Sequence, residues 1–351
     1  MIIGINAMAA LTWPRTGVEE YAYQLIKHLA MLKKSKKHRF LLYSGFRHDI
    51  KLPKNFQFTK LRWPLPMWTQ IRLAYEMFFN KPDILFIPVH ILPLIHPKNS
   101  IVVIHGLEYE YYPEMYQKKH LSYLRWSTKY ALKNSRKIIA VSENTKKDLV
   151  NLYGGNPDKI KVVYHGVGDV SFISAKAKIQ FCPYILYIGR IEIKKNVQGL
   201  IQAFNLLKKK YKIPHKLVLA GCNGYGFDKI LLQDKDIIFT GYVSEQQKWQ
   251  LLKEADCFVF PSFYEGFGMP ILEAQKIGCP VVCSNISSMP EVAGDGVALI
   301  NPKSIEEISD GIYKIISDKI FKNGIIEKGY QNVKRFSWQK CAEETLKVII
   351  E

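Results

Sequence analysis

The sequence predicts a two-domain α/β protein in which each half is a doubly wound parallel sheet. Three observations carry that expectation. Short β-rich runs alternate with amphipathic stretches through the first half, a polar and irregular segment at 166–183 interrupts them, and the same alternation then starts again. Such alternation implies parallel strands joined by helical crossovers. The 351 residues suffice for two domains of ~100–200 residues. We expect a first domain over 1–170, a second over 171–335, and a closing helix over 336–351.

In the first half, strands are expected at 2–6, 40–44, 84–87, 101–105, 137–141 and 160–164. Between the first two, Val18, Tyr21, Ala22, Leu25, Ile26 and Leu29 recur at helical spacing. Glu19 and Glu20 open that stretch, and Lys33, Lys34, Lys36 and Lys37 follow it, as the helix dipole prefers. In the second half, strands are expected at 184–188, 217–220, 237–240, 257–260, 280–283 and 297–300. Ser244 with Gln247, and Ser304 with Glu307, form capping boxes that start two helices. A last helix, WQKCAEETLKVIIE, follows Ser337. Sheets of this kind bind ligands outside the carboxyl ends of their strands, so residues just past strand ends are the candidates for chemistry.

Composition narrows the classes. A hydrophobic content of 48% with 23% charged residues suits a globular protein with real cores. No apolar run reaches the ~18–20 residues of a membrane span. The start, MIIGINAMAALTWPRTG, has neither a basic n-region nor a continuous apolar stretch, so no signal peptide and a cytoplasmic location are expected. Cys182, Cys222, Cys257, Cys279, Cys283 and Cys341 form no CxxC, which argues for reduced thiols and against a metal cage. Asp234-Lys-Asp236 is formally a DxD, but it precedes a strand instead of ending one and is not taken as a metal site. Gly221-Cys-Asn-Gly224-Tyr-Gly226 lacks the dinucleotide pattern.

The net charge of +19 is uneven: residues 1–170 hold 26 Lys/Arg against 12 Asp/Glu, or +14, and residues 171–351 hold 24 against 19, or +5. A basic first half fits an anionic partner, or is simply a solvated face. The stretch LRWPLPMWTQIRLAYEMFF (61–79) mixes Arg62, Trp63, Trp68 and Arg72 with apolar residues. Together with 33–39 it either rests on an anionic bilayer, peripherally on the inner face of the plasma membrane, or packs within the first domain. No basic–aromatic interleaving points to nucleic acid.

The most informative stretch is FYEGFGMPILE, after the apolar run CFVFP. Gly266 and Gly268 allow a tight turn and a close backbone approach to a ligand. Pro270 suits a helix N1 position, predicting a helix from there through Ile277. The amides of Phe267, Gly268 and Met269 then leave a helix N-terminus, which is a seat for phosphate. Glu265 precedes this seat and Glu273 lies about a turn inside the helix, so the two stand apart along any bound molecule. The alternatives are a dipole cap at Glu273 and a solvated charge at Glu265.

E-G-F-G-M-P-I-L-E resembles the E-x7-E signature of retaining glycosyltransferases of the GT-B fold, family 4 in particular. The segments YILYIGRIEIKKN, LVLAG, IIFTGYVSEQQKWQLLKEADCFVFPSFYEGFGMPILEA and SSMPEVAGDGVALINP look like that family in order and spacing. TGVEEYAYQLIKHL, VVIHGLEYEYYPE and IIAVSENTKKDLV add the first half, so the likeness covers nearly the whole chain. By overall pattern it is most similar to bacterial O-antigen mannosyltransferases.

The resemblance implies two Rossmann-like domains facing across a cleft, the first binding acceptor and the second the nucleotide-sugar donor, with the C-terminal helix returning to the first. It implies that Arg190 and Lys195 bind the donor diphosphate and neutralise its charge as it leaves, in place of a metal ion. Glu273 would accept from the ribose hydroxyls, and Glu265 would hold the transferred sugar beside the amides of Phe267, Gly268 and Met269. Tyr242 and Val243 would lie near the base, and Gly17 near the diphosphate. His105, at a strand end, would face the reacting centre. The leaving diphosphate itself would help deprotonate the acceptor. Catalytic roles thus fall on His105, Arg190, Lys195 and Glu265, with no cofactor beyond a nucleotide-sugar co-substrate, GDP-mannose or a UDP-hexose.

Departures from the family concern the first half. His105-Gly106-Leu107 stands where H-D-L is common, Glu19-Glu20 where G-R or E-R is, and His165-Gly166 where Asn-Gly is. The rival activities are a nucleotide-sugar epimerase or a glycosyl phosphorylase. A rival of another class is a non-catalytic binder of anionic polymer or membrane.

Overall fold

The structure is a computed structural model, and residues 1–13, 15–45, 51–170, 182–227 and 235–351 are described. Asp234 of the DxD pair and residues 171–181 of the irregular segment lie outside them. The chain divides into two compact units, Met1–Gly166 with Ser337–Glu351, and Val167–Phe336.

The first unit is built on strands β1 (Ile2–Asn6), β2 (Arg39–Ser44), β3 (Phe56–Lys60), β4 (Ile84–Ile87), β5 (Ser100–Ile104), β6 (Lys137–Ala140) and β7 (Ile160–Val162). All run parallel, in the order β3-β2-β1-β4-β5-β6-β7. Strands β4 and β5 are buried throughout, as expected for strands covered on both faces. One face carries Leu85, Ile87, Val102, Ile104, Ile138 and Ala140 in a cluster with Leu73 and Met77. The helix Gly17–Met31 is absent from that cluster. Its buried side, Tyr21, Ala22, Leu25, Ile26 and Leu29, lies on the opposite face, where right-handed crossovers place it, and the C-terminal helix Trp338–Ile350 rests on it. A Cβ on Gly166 would run into the backbone of Trp338, so only glycine admits that contact.

The second unit has strands β8 (Tyr184–Ile188), β9 (Lys216–Ala220), β10 (Ile237–Gly241), β11 (Cys257–Phe260), β12 (Val281–Ser284) and β13 (Ala298–Ile300), parallel in the order β10-β9-β8-β11-β12-β13. Both sheets reverse direction beside their first strand, the switch point of the doubly wound fold.

Four of the twelve expected strands keep both ends, and the other eight shift at one or both ends by a residue or two. The strand expected at 101–105 stops at Ile104, which leaves His105 as the first residue beyond it. Strand β3 was not anticipated: FQFTK is a short edge strand with only Phe56 buried, too little apolar signal to register. The lysine run of 33–37 is a 3-10 turn, Lys33–Lys37.

Candidate functional site

In the second unit the switch point lies between β8 and β11. Gly189 follows β8 at φ 154, and Arg190 comes next, with Tyr187 Oη donating to its carbonyl at 2.8 Å. A Cβ on Gly221 would overlap the carbonyl of Gly189. Ile191 N donates to Cys222 O and Gly224 N to Ile191 O, each at 2.9 Å. The glycines after β9 therefore serve a close backbone approach that holds the Arg190 loop. Arg190 is exposed, and its guanidinium has no ion-pair partner among the described residues. Lys195 ends the next turn, Ile193–Lys195. Asn196 follows at φ 55, and its side-chain amide donates to Pro302 O at 2.6 Å, which fixes the start of the helix Val197–Tyr211.

The loop after β11 brings Glu265 to Lys195, whose ammonium donates to its Oε1. Ser287 Oγ accepts from Glu265 N at 3.2 Å and donates to Glu265 O at 2.7 Å, while Ser288 Oγ donates to Phe267 O at 3.0 Å. Two hydroxyls thus clasp this turn from the segment after β12. Gly268, at φ 98, caps the helix Met269–Lys276. The helix starts at Met269, one residue before the predicted Pro270, and ends at Lys276 instead of Ile277. Pro270 tolerates the second position because the N–H it lacks would have no intrahelical partner. The amides of Gly268 and Met269 donate to nothing among the described residues, as an anion seat requires. The Phe267 side chain is buried against Phe336, so of this residue only the backbone is offered.

Glu273 sits within the helix and accepts from Lys248 Nζ at 2.7 Å, and Lys248 also reaches Glu245 at 2.9 Å. Burial pulls Lys248 down, but Glu273 and then Glu245 more than offset it, so its ammonium is held above its ordinary range. Each glutamate therefore carries its own lysine. Tyr242 is exposed and Val243 half-buried in the loop after β10.

In the first unit, His105 follows β5. Its Nε2 donates to Pro88 O at 2.8 Å, which makes Nδ1 the acceptor nitrogen, and its backbone N–H donates to His90 Nε2 at 2.6 Å. Burial foremost, then His90, lowers His105 to about 3, despite the Pro88 carbonyl and Glu108. Burial also lowers His90, with Glu108 opposing, and holds His165 well below its usual value, helped by His105. Tyr21 contacts both His105 and His165, with ring centroids 4.7 and 4.5 Å apart. These imidazoles are neutral at pH 7 and form an uncharged hydrogen-bonding site.

Gly17 is the first residue of its helix. The neighbouring carboxylates have structural partners: Glu19 accepts from Thr16 N at 3.0 Å, and Glu20 pairs with Arg15 at 3.2 Å. Sequence reasoning missed His90, Lys248, Ser287 and Ser288. His90 carried the same signal as His105, a histidine just past a strand end. The other three had none, because their partners lie 21 to 25 residues away. Among the described residues no three or more His, Cys, Asp or Glu side chains are grouped to hold a metal.

Residues 15–169 match the family described as Glycosyltransferase Family 4, and residues 172–332 match Glycosyl transferases group 1. The chain is 28% identical over 374 positions to O-antigen chain mannosyltransferase B of Escherichia coli, across 97% of this chain and 98% of that protein. In fold it is similar to a sucrose-phosphate synthase from Thermosynechococcus elongatus (TM-score 0.79, 17% identity, 99% of this chain and 98% of the other). It is also similar to Anabaena Alr3699/HepE in complex with UDP and glucose (TM-score 0.74, 16% identity, 100% and 99%).

Proposed function

The chain belongs to the group 1, family 4 glycosyltransferases, with the GT-B fold, and is a hexosyltransferase; from that membership we propose that it moves mannose from GDP-mannose, with retention, onto a saccharide or lipid-linked saccharide of a cell-surface polysaccharide. The observation that carries the donor side is the switch point of the second unit. There Arg190 has no ion-pair partner and the Gly268 and Met269 amides no acceptor among the described residues, while Lys195 binds Glu265 and Lys248 binds Glu273 in the helix those amides open.

A nucleoside diphosphate needs cations and N–H donors, while ribose and sugar hydroxyls need acceptors. Arg190, Lys195 and the Gly268 and Met269 amides supply the first set, and Glu265 and Glu273 the second. In the reaction the bond from the anomeric carbon to the diphosphate oxygen breaks and the bond to the acceptor oxygen forms. The acceptor proton passes to a diphosphate oxygen, and Arg190 and Lys195 stabilise the departing charge without a metal. The neutral imidazole of His105 offers an uncharged contact suited to a sugar hydroxyl.

Mannose and O-antigen synthesis rest on the Escherichia coli relative. A UDP-hexose donor is the second reading, favoured by the structural neighbour in complex with UDP and glucose. The test is turnover with GDP-mannose and UDP-glucose on saccharide acceptors, with the product's anomeric configuration read by NMR. Elongation from UDP-glucose alone would overturn the donor assignment, and an inverted product the retaining one. An isomerised nucleotide sugar or a free sugar phosphate would overturn the reaction class. Arg190→Ala and Lys195→Ala are each expected to lower kcat by at least about 100-fold; near-normal turnover in both would remove the diphosphate from this loop.

A further inference from the structure

The segment after β4 is bonded to the end of β5 through two imidazoles. His105 Nε2 donates to Pro88 O at 2.8 Å, the backbone N–H of His105 donates to His90 Nε2 at 2.6 Å, and the backbone N–H of His90 donates to Val103 O at 3.0 Å. These bonds fix both tautomers. A carbonyl only accepts, so the proton of the neutral His105 ring sits on Nε2, and its Nδ1 is an acceptor. A backbone N–H only donates, so His90 Nε2 is an acceptor, and the proton of that ring sits on Nδ1. The two rings, with centroids 5.7 Å apart, are thus left with one donor and one acceptor between them.

The protein uses neither of these nitrogens. His90 Nδ1 and His105 Nδ1 have no hydrogen-bond partner among the described residues, and neither is sealed from solvent. Tyr21 closes one side of His105, edge-on at 4.7 Å, and is itself buried. His90 also holds φ 34, in the left-handed region that a residue with a side chain seldom adopts. Its bonds to Val103 and His105 keep it there, and two residues on Leu92 is fully buried and accepts from the Gln70 side chain at 3.1 Å. Backbone strain held from several sides marks a segment that places a functional side chain.

We propose that His90 determines sugar specificity: its Nδ1–H donates to a hydroxyl of a bound sugar, while His105 Nδ1 accepts from the same hydroxyl or from the one beside it. This rests on the reading of the first unit's site as a sugar site, and adds to it a second contact and a fixed polarity. A hydroxyl gives and accepts a hydrogen bond through one oxygen, so it matches a donor set beside an acceptor. A phosphate or an ionised carboxylate only accepts, and would meet the lone pair of His105 Nδ1 unpaired. Burial lowers both imidazoles, so at pH 7 neither becomes a donor at both nitrogens. A hydroxyl removed from the ring position they face leaves an N–H and a lone pair unmatched, which is how such a site discriminates.

The test compares monodeoxy sugars. The donors are the deoxy forms of whichever of GDP-mannose and UDP-glucose turns over, and the acceptors are methyl α-mannoside and its deoxy forms. One deoxy form is expected to lower wild-type kcat/KM by at least about 10-fold, and whether it is a donor or an acceptor tells which sugar carries the hydroxyl. Two variants divide the imidazole. In H90N the side-chain amide stands near the place of Nδ1 and keeps the donor, on a residue that tolerates positive φ. In H90Q the amide reaches the place of Nε2 and keeps the bond to His105 N. H90N should keep the discrimination, and H90Q should treat deoxy and parent sugars alike; circular dichroism and melting check that both are folded. Discrimination kept in H90Q and lost in H90N would make His90 a brace for His105 and overturn the proposal, as would a wild type indifferent to every deoxy form. Proton–nitrogen correlation spectra of the wild-type imidazoles need no turnover. They should show His90 protonated on Nδ1 and His105 on Nε2, with His90 Nδ1 shifting when GDP-mannose, UDP-glucose or methyl α-mannoside is added. A His90 protonated on Nε2, or an Nδ1 that ignores all three, overturns the inference and leaves the glycosyltransferase reading standing. Absence of transfer with these tautomers and shifts in place overturns that reading alone.

Discussion

The two units share a sheet order around the switch point but furnish it with opposite chemistry. In the second, the loops beyond the strand ends and the helices that follow them carry full charges held in pairs, Lys195 with Glu265 and Lys248 with Glu273. In the first, the corresponding ends carry neutral imidazoles packed on a buried tyrosine. The second arrangement suits a ligand that brings its own negative charge, and the first suits one that brings only hydroxyls. The same topology therefore does not dictate the same recognition; the side chains beyond the strands do.

The sharpest way to break this contrast is to remove a pair. Lys248 and Glu273 are each 14% exposed at the side chain, so losing one partner strands the other in a poorly solvated place. Lys248→Ala is expected to cost about 3 kcal/mol and to raise the donor KM, because Glu273 loses its orientation. Glu273→Ala alone should raise the donor KM as much. In the double variant most of the stability returns, since no uncompensated charge remains. Denaturant melts of all four forms measure the coupling. A coupling below about 0.5 kcal/mol would reduce the pair to an ordinary surface contact.

The first unit should instead fail in acid. His105, His90 and His165 all have folded-state values below the ordinary one, so the unfolded chain binds more protons at mildly acidic pH. Their stabilisation is complete above about pH 6.5 and is lost as pH falls toward the folded values. For His105, which burial lowers to about 3, linkage gives about 2 kcal/mol lost by pH 5. Tyr21 packs on the cluster, and Glu108 opposes the shift of His105 without reversing its sign. Hydrogen exchange, corrected for intrinsic rates at pH 7 and pH 5, should show β4 and β5 losing protection before β8 and β11. Equal loss in both units would mean the imidazoles are not what distinguishes them.

What could be read from the sequence follows the same division. Charged and glycine-rich motifs mark the second unit because anion binding needs specific residue types at short spacing. FYEGFGMPILE carried its turn, its helix start and both glutamates within eleven residues. The lysine that holds Glu273 lies on another helix, and nothing local to Lys248 announces a partner 25 residues away. In the first unit the site is assembled from His90, His105, His165 and Tyr21, each a lone residue on a different element. Only their convergence in space is informative. The 61–79 stretch left two readings open because it is apolar on both sides, and a hydrophobic pattern cannot say which side is covered.

The smallest effect separates helix starts from ligand contacts. Ser244 Oγ accepts from Gln247 N at 3.3 Å and Gln247 Oε1 accepts from Ser244 N at 2.9 Å, a complete capping box directly after Tyr242 and Val243. In the first unit, Thr16 caps its helix through Glu19 directly before Gly17. Ser244→Ala and Thr16→Ala should each cost about 1 kcal/mol, the first lowering the melting step of the second unit and the second that of the first. Ser244→Ala should also raise the donor KM a few-fold, because the cap anchors the loop assigned to the base. If its melting step falls while the donor KM stays fixed, Tyr242 and Val243 are structural neighbours of the cap, and base recognition must lie elsewhere in the second unit.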